Sequence, residues 1–226
     1  MNEQKDIVLL VGSPRAERST SLTLGKYLYE QIDPSEDSFK VGFIHRLMMR
    51  KERQDQIIKM VNQANLIILS FPLYIDHLPS PVIRMMEFLY GNKDSLLNPE
   101  DKMFVAISNC GFPEAHQIDL AIEICHNFSD AMKFQWRGGL KKGGGEMINK
   151  YDLNEMGKRV EDVKKGLELA AEALKRDQEI PDDAKELVAK NMISVKMYKK
   201  MGNLGWRLRG LGNFNIFNLK NKPYKE

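Results

Sequence analysis

The chain has 226 residues and a mass of 26.0 kDa, which at roughly 100 to 200 residues per domain points to one unit with an appendage. Apolar residues make up 42% and charged residues 29%, ordinary globular usage that excludes a disordered, collagenous or coiled-coil chain. The net charge of +3 is uneven: residues 192–226 hold eight Lys or Arg against the acid Glu226, leaving a mildly acidic remainder that argues against reading the whole chain as a nucleic-acid binder.

Asp6 is followed by IVLLVG, a continuous apolar run rich in β-branched residues and closed by Gly12. Such a run reads as a strand buried on both faces, as in a parallel sheet. The pattern returns in FKVGFI (39–44), LIILS (66–70) and MFVAIS (103–108), and more weakly in KFQWRG (133–138). Helical spacing lies between: Leu22, Leu24, Tyr27, Leu28 and Ile32, then Ile57, Ile58, Val61 and Ala64. Ser80 and Pro81 suit the N-cap and first turn of a third helix through Leu89. Ile118, Ala121, Ile122, Cys125 and Phe128 mark a fourth, and Met156, Val160, Val163, Leu167, Ala171 and Leu174 a long fifth. Five alternations of strand and helix predict right-handed crossovers in a doubly wound, mostly parallel α/β sheet.

Pro181, Asp182 and Asp183 open a short further helix carrying Leu187, Val188 and Met192. Beyond Gly202 the helical signal fails. Residues 1–180 are therefore read as the domain and 181–226 as a helical and basic C-terminal extension. The longest near-apolar stretch, Leu66 to Ile75, contains Ser70 and Pro72 and is far shorter than the roughly 20 residues that span a bilayer. The N-terminal region lacks a cationic start and a small-residue cleavage site, and a cytoplasmic home is expected. Cys110 and Cys125 are too few for a disulfide framework and match no zinc or iron–sulfur spacing, so no metal is expected.

In an open parallel sheet ligands bind beyond the carboxyl ends of the strands. The first loop there, Gly12 to Ser21, has neither the GxGxxG spacing nor a GK[ST] ending. It offers hydroxyls, two arginines and a helix N-terminus, a set suited to a phosphate monoester; the plainer reading is a polar connection in which Ser19 or Thr20 caps a helix. The second loop, SFPLYIDHLPSP, would leave Leu73, Tyr74 and Ile75 as an apolar patch unless something flat covers them. The third, Asn109-Cys110-Gly111-Phe112-Pro113-Glu114, brings small residues and an aromatic to the neighbouring strand end. A monophosphate grip beside an apolar ledge points to flavin mononucleotide.

GSPR with a Ser/Thr cluster, a strand ending in P-L-Y and closed by LPSP, then SNCGFPE, then W-x-GGL and GGGE, resembles the flavodoxin-like NAD(P)H-dependent oxidoreductases, also called NADPH-dependent FMN reductases. The match covers residues 7 to about 175. It implies a flavodoxin-like fold, with Ser13, Arg15, Ser19, Thr20 and Ser21 holding the FMN phosphate. By the same resemblance Pro72, Leu73, Tyr74 and Ile75 pass beside the isoalloxazine, and Asn109, Cys110, Gly111 and Phe112 flank its other side. Relatives with an iron–sulfur cluster carry a run of cysteines after the second strand; here HRLMMRKERQDQ has none, and FMN alone is implied. The chemistry then belongs to the flavin, with NAD(P)H as co-substrate and a small acceptor such as a quinone, flavin, nitro or azo compound. No catalytic side chain is nominated.

Cys110 reads as a small residue filling a turn and Cys125 as core, while His45, His77, His116 and His126 lack ligand spacing. Gly138 to Gly145, with five glycines around Lys141 and Lys142, reads either as a flexible connection or as a mobile lid whose lysines meet the extra phosphate of NADPH. The tail, with Trp206, Leu208, Leu211, Phe214, Ile216 and Phe217, is expected to complete a homodimer in preference to a membrane surface or a polyanion. Competing readings are a flavodoxin-type electron carrier without its own NAD(P)H activity and a non-redox interaction scaffold. The body is less acidic than a carrier's docking surface usually is, which favours the enzyme.

Overall fold

A computed structural model describes residues 5–33, 40–148 and 152–212. Phe39, and Phe214, Ile216 and Phe217 of the tail, lie outside the described residues. Five strands form one parallel sheet in the order β2-β1-β3-β4-β5: β1 (Ile7–Val11), β2 (Lys40–Phe43), β3 (Leu66–Pro72), β4 (Met103–Asn109) and β5 (Gln135–Lys142). Every residue of β1, β3 and β4 is buried, as their unbroken apolar runs require when both faces are covered. On one face Val8, Leu10, Ile67, Leu69, Phe71, Phe104 and Ala106 pack against α3 (Lys51–Asn62), α4 (Ser80–Gly91) and α5 (Asp119–Ala131). On the other lies α1 (Thr20–Ile32), which reaches the sheet at Gly25 beside Leu9 and Ser70 and packs against α6 (Glu161–Lys175).

Two elements around the sheet differ from the sequence reading. A short helix, α2 (Ile44–Met48), follows β2 directly, where the apolar run 39–44 reads as strand to its end. The fifth strand begins later and runs on through Lys142, with Arg137 bulged out where Phe104 pairs with Trp136 and Val105 with Gly138. Gly138 to Lys142 are therefore strand, and neither a flexible connection nor a lid. The glycines are there for packing: a Cβ on Gly139 would stand 2.3 Å from Ile122 Cγ2, so α5 sits closer to β5 than any larger residue allows.

Contacts divide the chain into a unit of residues 1–190 and a second of residues 191–226. The sequence reading draws the line at 180/181, but α7 (Asp182–Ala189) belongs with the first unit. Its Ala184 and Val188 are buried, and a Cβ on Gly166 of α6 would come within 2.7 Å of the Ala184 carbonyl. The second unit contains α8 (Val195–Gly212), which continues ten residues past the glycine where the helical signal fades. Among the described residues no helix is long and apolar enough to cross a membrane.

Lys142 ends β5 fully buried. Its Nζ donates to the carbonyl of Lys190, the residue that closes α7, at 2.5 Å, and the Lys190 ammonium pairs with Asp162 Oδ2 at 2.8 Å. A cation at a helix C-terminus is well placed for the dipole. Burial nevertheless dominates and pushes the Lys142 pKa down to about 8, with Asp162 opposing the shift.

Two predictions follow from this packing. Gly139→Ala costs roughly 1 to 3 kcal/mol in chemical denaturation, and Ile122→Ala in the same chain recovers part of it because the clashing methyl is gone. Between about pH 8 and the unfolded lysine value near 10.4 the unfolded chain binds the extra proton, so parent stability rises with pH across that window. Urea unfolding of parent and Lys142→Met at pH 7 and at pH 10 to 11 should show the parent gaining on the order of 3 kcal/mol relative to the variant, whereas a pH-independent difference refutes the burial penalty.

Candidate functional site

The loops after β1, β3, β4 and β5 meet at the carboxyl end of the sheet, and side-chain hydrogen bonds hold them there. Gly12 N–H donates to the Ser70 carbonyl at 2.8 Å, and Ser70 Oγ donates to the Ser21 carbonyl at 2.7 Å, joining β3 to the first turn of α1. Ser21 Oγ donates to Asn109 Oδ1 at 2.9 Å, joining that turn to β4. Thr20 Oγ1 donates to the Gly145 carbonyl at 2.8 Å, joining it to the turn after β5. Leu73 N–H reaches the Asn109 carbonyl, Cys110 N–H the Lys142 carbonyl, and Gly145 and Gly144 N–H the carbonyls of Cys110 and Phe112.

The turn at 143–145 explains the remaining glycines. A Cβ on Gly143 would lie 2.3 Å from the Pro113 carbonyl oxygen and one on Gly145 2.9 Å from Asn109 Nδ2, so backbone passes where side chains have no room. Lys141 pairs with Asp119 at 2.6 Å, and Lys142 is buried with its Nζ on the Lys190 carbonyl instead of standing on the surface.

The expected site residues separate into two groups. Ser13, Ser19, Thr20, Ser21, Pro72, Leu73, Asn109 and Cys110 are buried and build the frame. Arg15, Tyr74, Ile75, Gly111 and Phe112 are exposed on it. Ser19 caps α1, accepting from Leu22 N–H at 3.2 Å while donating to the Ala16 carbonyl at 2.6 Å. The hydroxyl protons of Ser19, Thr20 and Ser21 thus all go to protein acceptors. The donors left to an anion at the start of α1 are the N–H groups ahead of Leu22, which have no intrahelical acceptor, with the positive end of the helix dipole behind them.

Glu17, the one acid of this loop, is held in a bidentate pair by Arg46 of α2, Nη1 to Oε1 at 2.6 Å and Nη2 to Oε2 at 2.8 Å. That hydrogen bonding keeps the Glu17 carboxyl below its ordinary range. Its charge is compensated, and exposed Arg15 and Arg18 leave the loop cationic. His45, next to Arg46, has Nδ1 buried without a partner, and burial lowers its pKa.

Residues 74–77 form a tight hairpin: Tyr74 N–H donates to His77 O at 2.9 Å and His77 N–H to Tyr74 O at 3.1 Å. Its central residues, Ile75 and Asp76, have φ of 50° and 56°, the twist of a type I′ turn. Glycine or asparagine normally occupies these positions, and a β-branched Ile75 there carries about 1 to 3 kcal/mol of backbone strain. Ile75 is 99% exposed, Tyr74 42% and Phe112 54%, which makes an apolar rim on an otherwise polar site. His77 is occupied locally, its Nδ1 accepting from Leu78 N–H at 2.9 Å. Cys110 lies beneath, its thiol donating to the Phe112 carbonyl and pushed up in pKa by burial, so no thiolate stands ready. Among the described residues no group of His, Cys, Asp and Glu is arranged to hold a metal.

Ser70 and the Glu17–Arg46 pair carry no sequence signal of their role, and Gly145 is read only as part of the glycine run. Ser70 was legible only as the polar end of a strand, and the pair joins residues too far apart in the chain for any spacing to reveal.

No family model matches the chain, and no curated protein does. Solved structures do. An NADH:FMN oxidoreductase in its apo form superposes with a TM-score of 0.53 at 14% identity, covering 80% of this chain and 94% of its own. The Trp repressor binding protein from Bacillus subtilis gives 0.51 at 14%, covering 74% and 96%. An FMN-dependent NADH-azoreductase from Bacillus anthracis with FMN bound gives 0.51 at 12%, covering 76% and 99%. A flavodoxin from Streptococcus pneumoniae also gives 0.51 at 12%, covering 76% and 98%. With the β2-β1-β3-β4-β5 parallel order, the chain has the flavodoxin-like fold shared by these oxidoreductase and flavodoxin structures.

Proposed function

We propose that the chain is an FMN-dependent NAD(P)H oxidoreductase of the cytoplasm that passes reducing equivalents to a small acceptor such as a quinone, flavin, nitro or azo compound. The observation that carries this reading is the convergence, on one strand-end frame, of the α1 N-terminus with a cationic loop and the exposed rim of Tyr74, Ile75 and Phe112. An anionic group at one end and an apolar ring at the other match those two surfaces.

In this reading the phosphate sits on the leading amides of α1, with Arg15 adding charge and Ser13, Ser19, Thr20 and Ser21 shaping the loop. Pro72 and Leu73 fix the base of the ledge, while Tyr74 and Ile75 cover one side of the ring and Gly111 and Phe112 the other. Asn109 and Cys110 hold these two segments at a fixed separation. Bound FMN would supply the two-electron chemistry, taking hydride from NAD(P)H and returning electrons to the acceptor. The chain's own part is to orient the ring, exclude water from one face and set the field around it. The free buried thiols of Cys110 and Cys125 suit a reducing compartment. A second copy of the chain covering the exposed rim gives the homodimer this reading includes.

Purified protein should be yellow, release FMN and not FAD on denaturation, and bleach when NADPH or NADH is added without oxygen. A flavin spectrum that neither nucleotide bleaches identifies an electron carrier instead, and protein that takes up no FMN ends the flavin reading. Arg15→Ala should weaken FMN roughly 10- to 100-fold in fluorescence titration, as a hydrogen bond to a charged group is worth about 1.5 to 3 kcal/mol. Unchanged affinity would remove Arg15 from the phosphate site.

A further inference from the structure

Among the described residues, six of the large apolar side chains that lie exposed are on α8: Met197, Met201, Leu204, Trp206, Leu208 and Leu211. Five of them, Met197, Met201, Leu204, Leu208 and Leu211, recur at steps of four and three, which places them in one stripe along the helix. The helix also carries Lys196, Lys199, Lys200, Arg207 and Arg209, and no acid at all. At 100° per residue Lys196, Lys200 and Arg207 border the stripe on one side and Arg209 on the other. Trp206 falls outside the stripe, under the Arg209 guanidinium, which stands 5.4 Å from the ring centroid.

Propensity alone does not sustain this helix. Gly202, Gly205 and Gly210 are interior, and each costs about 1 kcal/mol relative to alanine. A Cβ on Gly202 or Gly205 would meet nothing within 4 Å, so neither glycine is there to admit a close neighbour. A helix so composed draws its stability from whatever covers its apolar face.

The charge pattern selects the occupant. Pairing the stripe with that of a second copy would bring its four flanking cations against the same four, with no acid on either helix to offset them. A nucleic acid would satisfy the cations and leave the methionines and leucines in water. An anionic bilayer surface meets both demands, taking the apolar stripe into the acyl boundary and the flanking lysines and arginines to the headgroup phosphates. We propose that α8 is a membrane-surface helix that docks this protein on anionic lipid through Met197, Met201, Leu204, Leu208 and Leu211. The sequence reading assigns the tail to a second subunit on its aromatics and arginines and for want of an evident helical moment; continued to Gly212, the helix has the stripe that a bilayer requires.

The test uses the full chain and sedimentation with vesicles made of equal parts phosphatidylcholine and phosphatidylglycerol, or of phosphatidylcholine alone. Binding is expected to the first, weakened by added salt, and not to the second. Replacing Lys196, Lys200 and Arg207 together by alanine should lower partition on the order of 100-fold, since each basic residue near an anionic surface contributes about a fivefold factor. Leu204→Glu with Leu208→Glu should lower it at least as far. The mass from light scattering and the thermal melt of the variants should stay those of the parent. No binding to anionic vesicles at low salt overturns the proposal. So does binding that survives the double glutamate variant, which would reduce it to charge adhesion, or a fall in mass in that variant, which would make the stripe a subunit contact.

Discussion

The candidate site depends on one constraint: four chain segments that run out of a parallel sheet must be tied together where no strand pairing is left to hold them. The first turn of α1 supplies the ties. Ser21 reaches Asn109 and Thr20 reaches Gly145, while Ser70 comes back to the Ser21 carbonyl. All of these groups are buried, so each bond also removes the cost of leaving a polar group unsatisfied away from water. Hydroxyls that sequence alone offers as ligand donors are thus spent on architecture, and the helix N–H groups they frame remain for an anion.

The same crowding accounts for the glycine run and for the buried lysine. Backbone of the 143–145 turn passes against Pro113 and Asn109 at distances no side chain tolerates. Directly before it, Lys142 crosses to α7, trading solvation for a bond to the Lys190 carbonyl. A lysine in that position sacrifices stability at neutral pH, yet it fastens the last helix of the first unit to the end of its last strand.

Electrostatics and strain are concentrated around this frame. Arg46 neutralises Glu17, so the loop after β1 presents Arg15 and Arg18 without an opposing charge beside them. The hairpin at 74–77 holds Ile75 in a left-handed conformation and fully in solvent, a combination that gains nothing in packing.

Much of this was determined by sequence alone. The apolar runs at 7–12, 66–70 and 103–108 are long enough to be buried on both faces, and that requires a parallel sheet with helices on both sides; the loops at its carboxyl end follow from the topology. Helices α1, α3, α4, α5 and α6 were legible because their apolar residues keep a 3.6-residue period. Tertiary structure decided what local pattern does not encode. Whether Gly138–Gly145 is loose or tightly packed depends on Ile122, Pro113 and Asn109, which approach it only in the folded chain. Which hydroxyls remain available depends on partners such as Asn109 and Gly145, nearly 90 or more residues away. The continuation of α8 to Gly212 past three interior glycines follows no propensity, and only the folded chain shows it.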